Sequence, residues 1–132
     1  MSDLSFEVDA GESRQYARIA VAGTLTDENA VAFLQRIVEI IHETGAPRFL
    51  LDYRKVVHAT SMRGKLSYSR KELTRLMRSV KHTPKVVLVR LDDRTHDLRV
   101  SILRDRGHAI VITRDPDWAV RHLSDLAVSD GV

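Results

Sequence analysis

The first part of the chain alternates apolar and polar residues in two short segments. Leu4, Phe6 and Val8 alternate with polar neighbours, and a second alternating segment runs over residues 15–22. This two-residue period is typical of strands with one buried face. Because a glycine-containing turn at 10–13 separates the two segments, they predict an antiparallel hairpin.

Four later segments repeat apolar residues at helical spacing. The first helix is predicted to follow Thr26, a candidate N-cap, and to stop at Gly45 before Pro47. The other helices are predicted from Met62 to Val80, from Thr95 to Arg106, and from the N-cap Asp115 with Pro116 at its first position.

The pattern also predicts the surroundings of individual residues on these helices. Leu98 is expected to face inward on the third helix. Trp118, in the first turn of the fourth helix, is expected to pack in the core, with a partner interface as the alternative. Residues 128–132 are predicted to form a frayed tail.

Three continuous apolar segments lie between the helices, at 48–53, 85–91 and 108–113. Such segments are typical of strands covered on both faces, as in parallel sheets. The predicted order is therefore β β α β α β α β α. Right-handed crossovers then give an α/β fold with a five-stranded mixed sheet, in which four strands are parallel and the N-terminal edge strand is antiparallel.

Composition narrows the class of protein. The 132 residues favour a single domain over 1–132, and the chain contains no cysteine, which excludes disulfides and thiolate chemistry. No secretory signal and no apolar segment of membrane-spanning length is present, so a cytoplasmic protein is expected.

The order of the predicted strands and helices resembles that of a known family. Gly23-Thr24-Leu25-Thr26 opens a helix after the hairpin, Phe49-Leu50-Leu51-Asp52 closes the next strand, and 105–123 supplies a glycine, a strand and a final helix. This order resembles the STAS family (sulphate transporter and anti-sigma antagonist domains), above all its small stand-alone bacterial members. The resemblance covers nearly the whole chain and implies a regulatory protein that acts by binding a partner kinase.

The resemblance also implies a phosphorylated serine near the start of the second helix. Ser61 falls at or near that position, although Thr60 stands where the family has an aspartate and Gly64 lies one residue late. A phosphoryl group there would meet the free N–H groups of a helix N-terminus, and Arg63 could add a charge-assisted hydrogen bond. The alternative is that Thr60 or Ser61 serves only as an N-cap.

Polar residues are also expected at the carboxyl edge of the parallel strands, where α/β sheets bind ligands. Asp52, taken as the end of its strand, Arg54 and His58 are the foremost candidates there for docking a partner. The same edge is expected to collect Tyr53, Asp93 and Arg114. No nucleophile elbow, dinucleotide fingerprint or phosphate-binding loop is present, so a non-enzymatic protein without a cofactor is predicted. Because no two histidines are spaced as a helical or His-x-His ligand pair, no metal site is predicted.

The strongest charge asymmetry lies in the segment from Arg63 to Lys85, which contains eight basic residues and one acidic residue, Glu72. Lys71, Arg75 and Arg78 form a stripe opposite the apolar face of the second helix. The stripe predicts either a solvated helix face or a docking surface for an acidic protein partner; a membrane surface or a nucleic acid is less favoured.

Two functions follow from these observations. The first is a protein-interaction module that uses the Ser61 edge and the basic helix. The second is a domain that binds a small ligand or lipid, which would require an apolar pocket near the strand ends. An exposed edge strand at Leu4 to Val8 would also allow a homodimer.

Overall fold

The computed structural model describes residues 4–10, 15–59 and 69–130. The strands are β1 (Leu4–Asp9), β2 (Ala17–Leu25), β3 (Phe49–His58), β4 (Lys85–Leu88) and β5 (Ile110–Thr113). The helices are α1 (Ala30–Thr44), α2 (Arg70–Met77), α3 (Asp97–Asp105) and α4 (Pro116–Asp130), and a 3₁₀ turn at Arg78–Val80 follows α2. Among the described helices, none is both long and apolar enough to cross a bilayer.

The five strands form one mixed sheet in the order β1-β2-β3-β4-β5. β1 is antiparallel to β2, with Phe6 opposite Val21. The other neighbours are parallel, and Leu51 lies between Ile19 of β2 and Val87 of β4. The predicted architecture, four parallel strands with an antiparallel N-terminal edge strand, is therefore confirmed.

The sheet has a core on each face. On one face α1, α2 and α3 cover side chains such as Ile19, Leu51 and Val87. On the other face α4 packs Ala119 and Leu123 against three side chains of the central strands, Leu50, Val86 and Leu88. Burial of both faces explains why the central strands are continuous apolar segments in the sequence.

A bulge interrupts the alternation of β3. Ala20 pairs with Asp52 and Ala22 pairs with Lys55, so one residue of β2 opposes two residues of β3. Such bulges are uncommon between parallel strands. Leu51 and Tyr53 point into the core under α1–α3, and after the extra residue Val56 points there too. β3 thus continues to His58, and the prediction that it ends at Tyr53 is wrong.

The start of α1 shows how its cap works. Thr26 Oγ1 accepts a hydrogen bond from the Asn29 backbone N–H at 3.2 Å, and Asn29 Oδ1 accepts one from the Thr26 N–H at 2.7 Å. This reciprocal pair has the form of a capping box, so Thr26 caps a first turn that becomes regular helix at Ala30. At the other end Gly45 has φ 68° and its N–H bonds the Ile41 carbonyl, as predicted.

The predicted helix from Met62 to Val80 is wrong in its extent. Ser69 is extended (φ −69°, ψ 159°), and its side chain accepts a hydrogen bond from the Glu72 N–H, so a helix starts afresh at Arg70. An extended residue with its own capping bond cannot lie inside a continuous helix. Residues 60–68, and the predicted hairpin turn at 11–14, lie outside the described residues.

Three predictions for α3 and α4 also need correction. Leu98 is 37% exposed, whereas Arg99 beside it is buried. Trp118 is also 37% exposed and stacks on His122, with ring centroids 4.7 Å apart, so it lies at the surface and not in the core. α4 continues to Asp130, so residues 128–130 are helical rather than a frayed tail.

Candidate functional site

The end of β3 and the segment after β4 bring His58, Asp93 and His96 together. His58 Nε2 lies 3.1 Å from Asp93 Oδ2, and the ring centroids of His58 and His96 are 4.9 Å apart. One ring nitrogen of each histidine and one carboxylate oxygen of Asp93 all lie within 4.8 Å of one another. We refer to these three residues as the His–Asp–His cluster.

Local hydrogen bonds hold Asp93 in this position. Its Oδ1 accepts a hydrogen bond from the Thr95 N–H at 2.9 Å, and its carbonyl accepts one from Arg114 Nη2 at 2.6 Å. The same Arg114 nitrogen donates to Asp97 Oδ1 at 2.8 Å. Because Oδ1 is engaged locally, Oδ2 is left to face His58.

The electrostatics of Asp93 favour the carboxylate. Burial alone would raise the pKa of Asp93. Hydrogen bonds from Thr95 and the nearby His58 outweigh the burial and lower that pKa below its usual value. The cluster therefore contains a permanent negative charge at neutral pH.

His96 is buried and its bonding capacity is only partly used. The residue is 4% exposed, and its ring packs against Tyr53 at a centroid distance of 4.9 Å. Burial lowers the pKa of His96 to about 3, and the neighbouring His58 and Arg99 add to the effect. Within the described ranges, neither His96 Nε2 nor His58 Nδ1 has a hydrogen-bond partner. Buried polar atoms without a partner are rare enough in folded proteins to need an explanation.

Asp52 lies elsewhere, in the middle of β3 on the face that α4 partly covers. Arg54 donates to it through Nε at 2.9 Å and Nη2 at 2.8 Å, and Arg18 Nη2 donates to Oδ2 at 2.6 Å. Burial would raise the pKa of Asp52, but these hydrogen bonds outweigh it and lower the pKa to about 2. The expectation that Asp52 ends its strand is wrong, because β3 continues to His58.

The sheet face around Asp52 is open at one side. α4 packs on β3, β4 and β5 and leaves the neighbouring part of β1 and β2 uncovered. This open region is lined by Glu7, Ala20, Ala22, Asp52 and Lys55, among others. It is an open cleft of about 810 Å³ lined by both acidic and basic side chains.

The basic stripe lies on the opposite side of the sheet. α2 packs Leu73 and Met77 into the core shared with α1 and α3. Lys71, Arg75 and Arg78 are all exposed on the outer side of α2 and of the 3₁₀ turn after it. The docking residues predicted from the sequence therefore fall on two surfaces, with Asp52 and Arg54 on one and the basic stripe on the other. Ser61 and Arg63 lie outside the described residues.

Among the described residues, the apolar cavity in the interior is too small for a drug-sized ligand or a lipid. A cavity of about 40 Å³ lies under α1, α2 and α3, lined by apolar side chains together with His96 and Arg99. Pockets for drug-sized ligands have volumes of about 300–1,000 Å³. This cavity has room for about one water molecule.

Comparison with known proteins agrees with the architecture. An anti-sigma factor antagonist from Mycobacterium paratuberculosis superposes with a TM-score of 0.59 at 17% identity, over 92% of this chain and 95% of that one. An uncharacterized protein from Shewanella loihica PV-4 with a SpoIIAA-like fold superposes with a TM-score of 0.52 at 13% identity, over 91% and 93%. The chain has a STAS-like fold. The fold implied by the resemblance is thereby confirmed, while no family model and no curated protein matches the sequence.

Sequence reasoning placed His58, Asp93 and Arg114 at one edge, and the structure brings these three together. It also placed Asp52, Tyr53 and Arg54 there. Tyr53 does pack against His96, but Asp52 and Arg54 lie on the opposite face of the sheet. Histidine spacing does not predict the His–Asp–His cluster, because His58 and His96 come from two segments that are far apart in the sequence. The available signal was topological, since Asp93 and His96 follow one parallel strand and His58 ends its neighbour.

Proposed function

We propose that the protein is a non-enzymatic regulatory module that docks an acidic protein partner through the basic stripe Lys71, Arg75 and Arg78. The observation that carries this proposal is the unneutralised charge of the stripe. All three side chains are exposed, and none forms an ion pair with any other described residue. Elsewhere on the surface, Arg36 and Arg94 do pair with carboxylates.

The helix that carries the stripe is well anchored. Ser69 caps its N-terminus, and Leu73, Met77 and Val80 are at most 2% exposed. A fixed row of like charges loses little conformational freedom on binding, so it suits recognition of a negatively charged surface. Proteins and polyanions are both attracted by such a row. We favour a protein because one solved structure of this fold is described as an anti-sigma factor antagonist.

The test is the affinity of a partner for a charge-reversed protein. The partner is first isolated on the immobilised wild-type protein from an extract of the native host and is then purified. Replacing the stripe by K71E/R75E/R78E is expected to weaken binding by about 100-fold or more, and the wild-type affinity is expected to fall steeply with salt.

The control reverses three exposed basic residues away from the stripe, as K55E/R90E/R121E, with the same change in net charge. Full affinity in the control and loss in the stripe variant supports the proposal. Equal losses would indicate only a general effect of charge, and full affinity in the stripe variant would place the partner elsewhere. Capture of a nucleic acid or of anionic vesicles in place of a protein would contradict the choice of partner.

A second part of the proposal is regulation at Ser61. Intact mass spectrometry of the protein from its native host is expected to show a phosphate-sized increment that is lost in Ser61→Ala. Ser61→Asp and Ser61→Ala should then differ in affinity for the purified partner, because one supplies negative charge and the other does not. Equal affinities for the wild type and both variants would contradict a phosphorylation switch while leaving the docking stripe intact.

A further inference from the structure

We propose that the His–Asp–His cluster is a binding site for a divalent transition-metal ion of the zinc class, with His58, Asp93 and His96 as its ligands. This site is separate from the docking stripe. The proposal rests on the donor set, on the distances between the donors and on the unpartnered Nε2 of His96.

The donor set is one that zinc and its neighbours prefer. Two imidazole nitrogens and one carboxylate bind Zn²⁺, Co²⁺ or Ni²⁺ far better than the hard ions Mg²⁺ and Ca²⁺, which prefer oxygen. Three protein ligands also match the number found in zinc sites that keep a fourth position for water or another group. Such a site would be open to an exogenous ligand.

The distances are close to those of a formed site. Metal–ligand bonds of about 2.0–2.2 Å require tetrahedral donors to be roughly 3.3 Å apart. His58 Nε2 and Asp93 Oδ2 are already 3.1 Å apart, and the whole set lies within 4.8 Å. A shift of the His96 ring by roughly 1–1.5 Å would close the remaining gap, which is within the reach of side-chain rotation.

The bonds around the cluster resemble those that support metal ligands. Thr95 and Arg114 fix Asp93 from behind, as hydrogen-bonding neighbours orient metal ligands. His96 Nε2 has no hydrogen-bond partner among the described residues, so this histidine has an unused nitrogen beside the cluster.

Charge and access are both compatible with an ion. Arg99 and Arg114 bring positive charge near the cluster, but Arg114 is matched by Asp97 at 2.8 Å and Asp93 supplies a carboxylate to the ion itself. The His58 side chain is 12% exposed, whereas that of Asp93 is 3% exposed. An ion would therefore enter from the side of His58.

The test uses the full chain, stripped with a chelator, and Zn²⁺ alone as the probe. Competition with a chromophoric chelator is expected to show one equivalent of tightly bound Zn²⁺ in the wild type. His58→Gln and Asp93→Asn should each weaken the affinity by about 100-fold or more, since loss of a supporting group alone costs 10–100-fold. Bound Co²⁺ should give the intense visible absorption of a four-coordinate site.

The matched control is His82→Gln, which removes an exposed histidine away from the cluster and should leave the affinity unchanged. Circular dichroism and thermal unfolding check that each variant is folded, and a folded Asp93→Asn suffices if another variant is not. Wild-type affinity retained in folded His58→Gln and Asp93→Asn would overturn the proposal. So would an equal loss in His82→Gln, or no stoichiometric binding by the wild type.

Discussion

Asp52 of β3 and Asp93 of the segment after β4 are both buried carboxylates, 5% and 6% exposed, but their surroundings differ. Two guanidinium groups surround Asp52 and use both of its oxygens. Asp93 has one oxygen held by the Thr95 backbone, and the other faces an imidazole. The first carboxylate is fully neutralised within the protein, whereas the second keeps an oxygen with which it could bind a cation. A buried charged side chain therefore identifies a candidate binding site only when the groups around it leave part of its hydrogen-bonding capacity unused.

The largest expected effect is on stability at neutral pH. Asp52→Asn removes the charge that Arg18 and Arg54 bind, and we expect a loss of about 2 kcal/mol in the free energy of unfolding. Asp93→Asn should cost about half as much, because an amide oxygen still accepts the Thr95 N–H. Denaturant unfolding of the two variants beside the wild type measures both values. A greater loss for Asp93→Asn would reverse the comparison.

The next prediction concerns acid. The folded pKa of Asp52, about 2, lies below its ordinary value of 3.8, so the folded state binds this proton less readily than the unfolded state. The stability from this group is thus fully present above about pH 4 and is lost as the pH falls towards 2. The difference between wild type and Asp52→Asn, measured by denaturant unfolding, should shrink over that range. A constant difference down to pH 2 would show that the ion pairs do not set it.

The smallest effect should be a gain. His96→Phe replaces a buried imidazole whose Nε2 has no described partner by a ring of similar shape, and the cavity beside it offers space. Removal of an unsatisfied polar atom should raise the free energy of unfolding by about 1 kcal/mol. Thermal and denaturant unfolding without added metal test this expectation. A loss of stability would mean that the His96 nitrogens take part in bonds that support the fold.

The sequence was sufficient for the architecture because the apolar pattern is strong. Three continuous apolar segments and the stop at Gly45 determine the order of elements, and each follows from local chemistry. The side-chain positions on α3 were harder, since Leu98 and Arg99 are adjacent and the long Arg99 side chain can be buried once Nη1 bonds the Thr95 carbonyl. Propensity gives no indication of such a bond.

The candidate site was only half accessible to sequence reasoning. That His58, Asp93 and Arg114 share an edge follows from topology alone. Whether Asp52 joins them depends on where β3 ends, and Arg54 and Lys55 gave no apolar signal that the strand continues. The meeting of Asp93 with His96 depends on the turn after β4, which the Thr95 hydrogen bond fixes in three dimensions.

The bulge in β3 gives chain length a role of its own. His58 is the seventh residue after Leu51, and the bulge opposite Val21 lets the two lie on the same face of the sheet. The same number of residues in strict alternation would turn His58 to the side of α4, away from Asp93. Loss of one residue at 53–54 would remove the bulge and leave Val56 and His58 on the face of Leu51, so the cluster depends on the bulge and the residue count together. In a related chain the histidine should accordingly be compared together with the bulge, because an odd separation from the buried leucine requires a bulge and an even separation requires none.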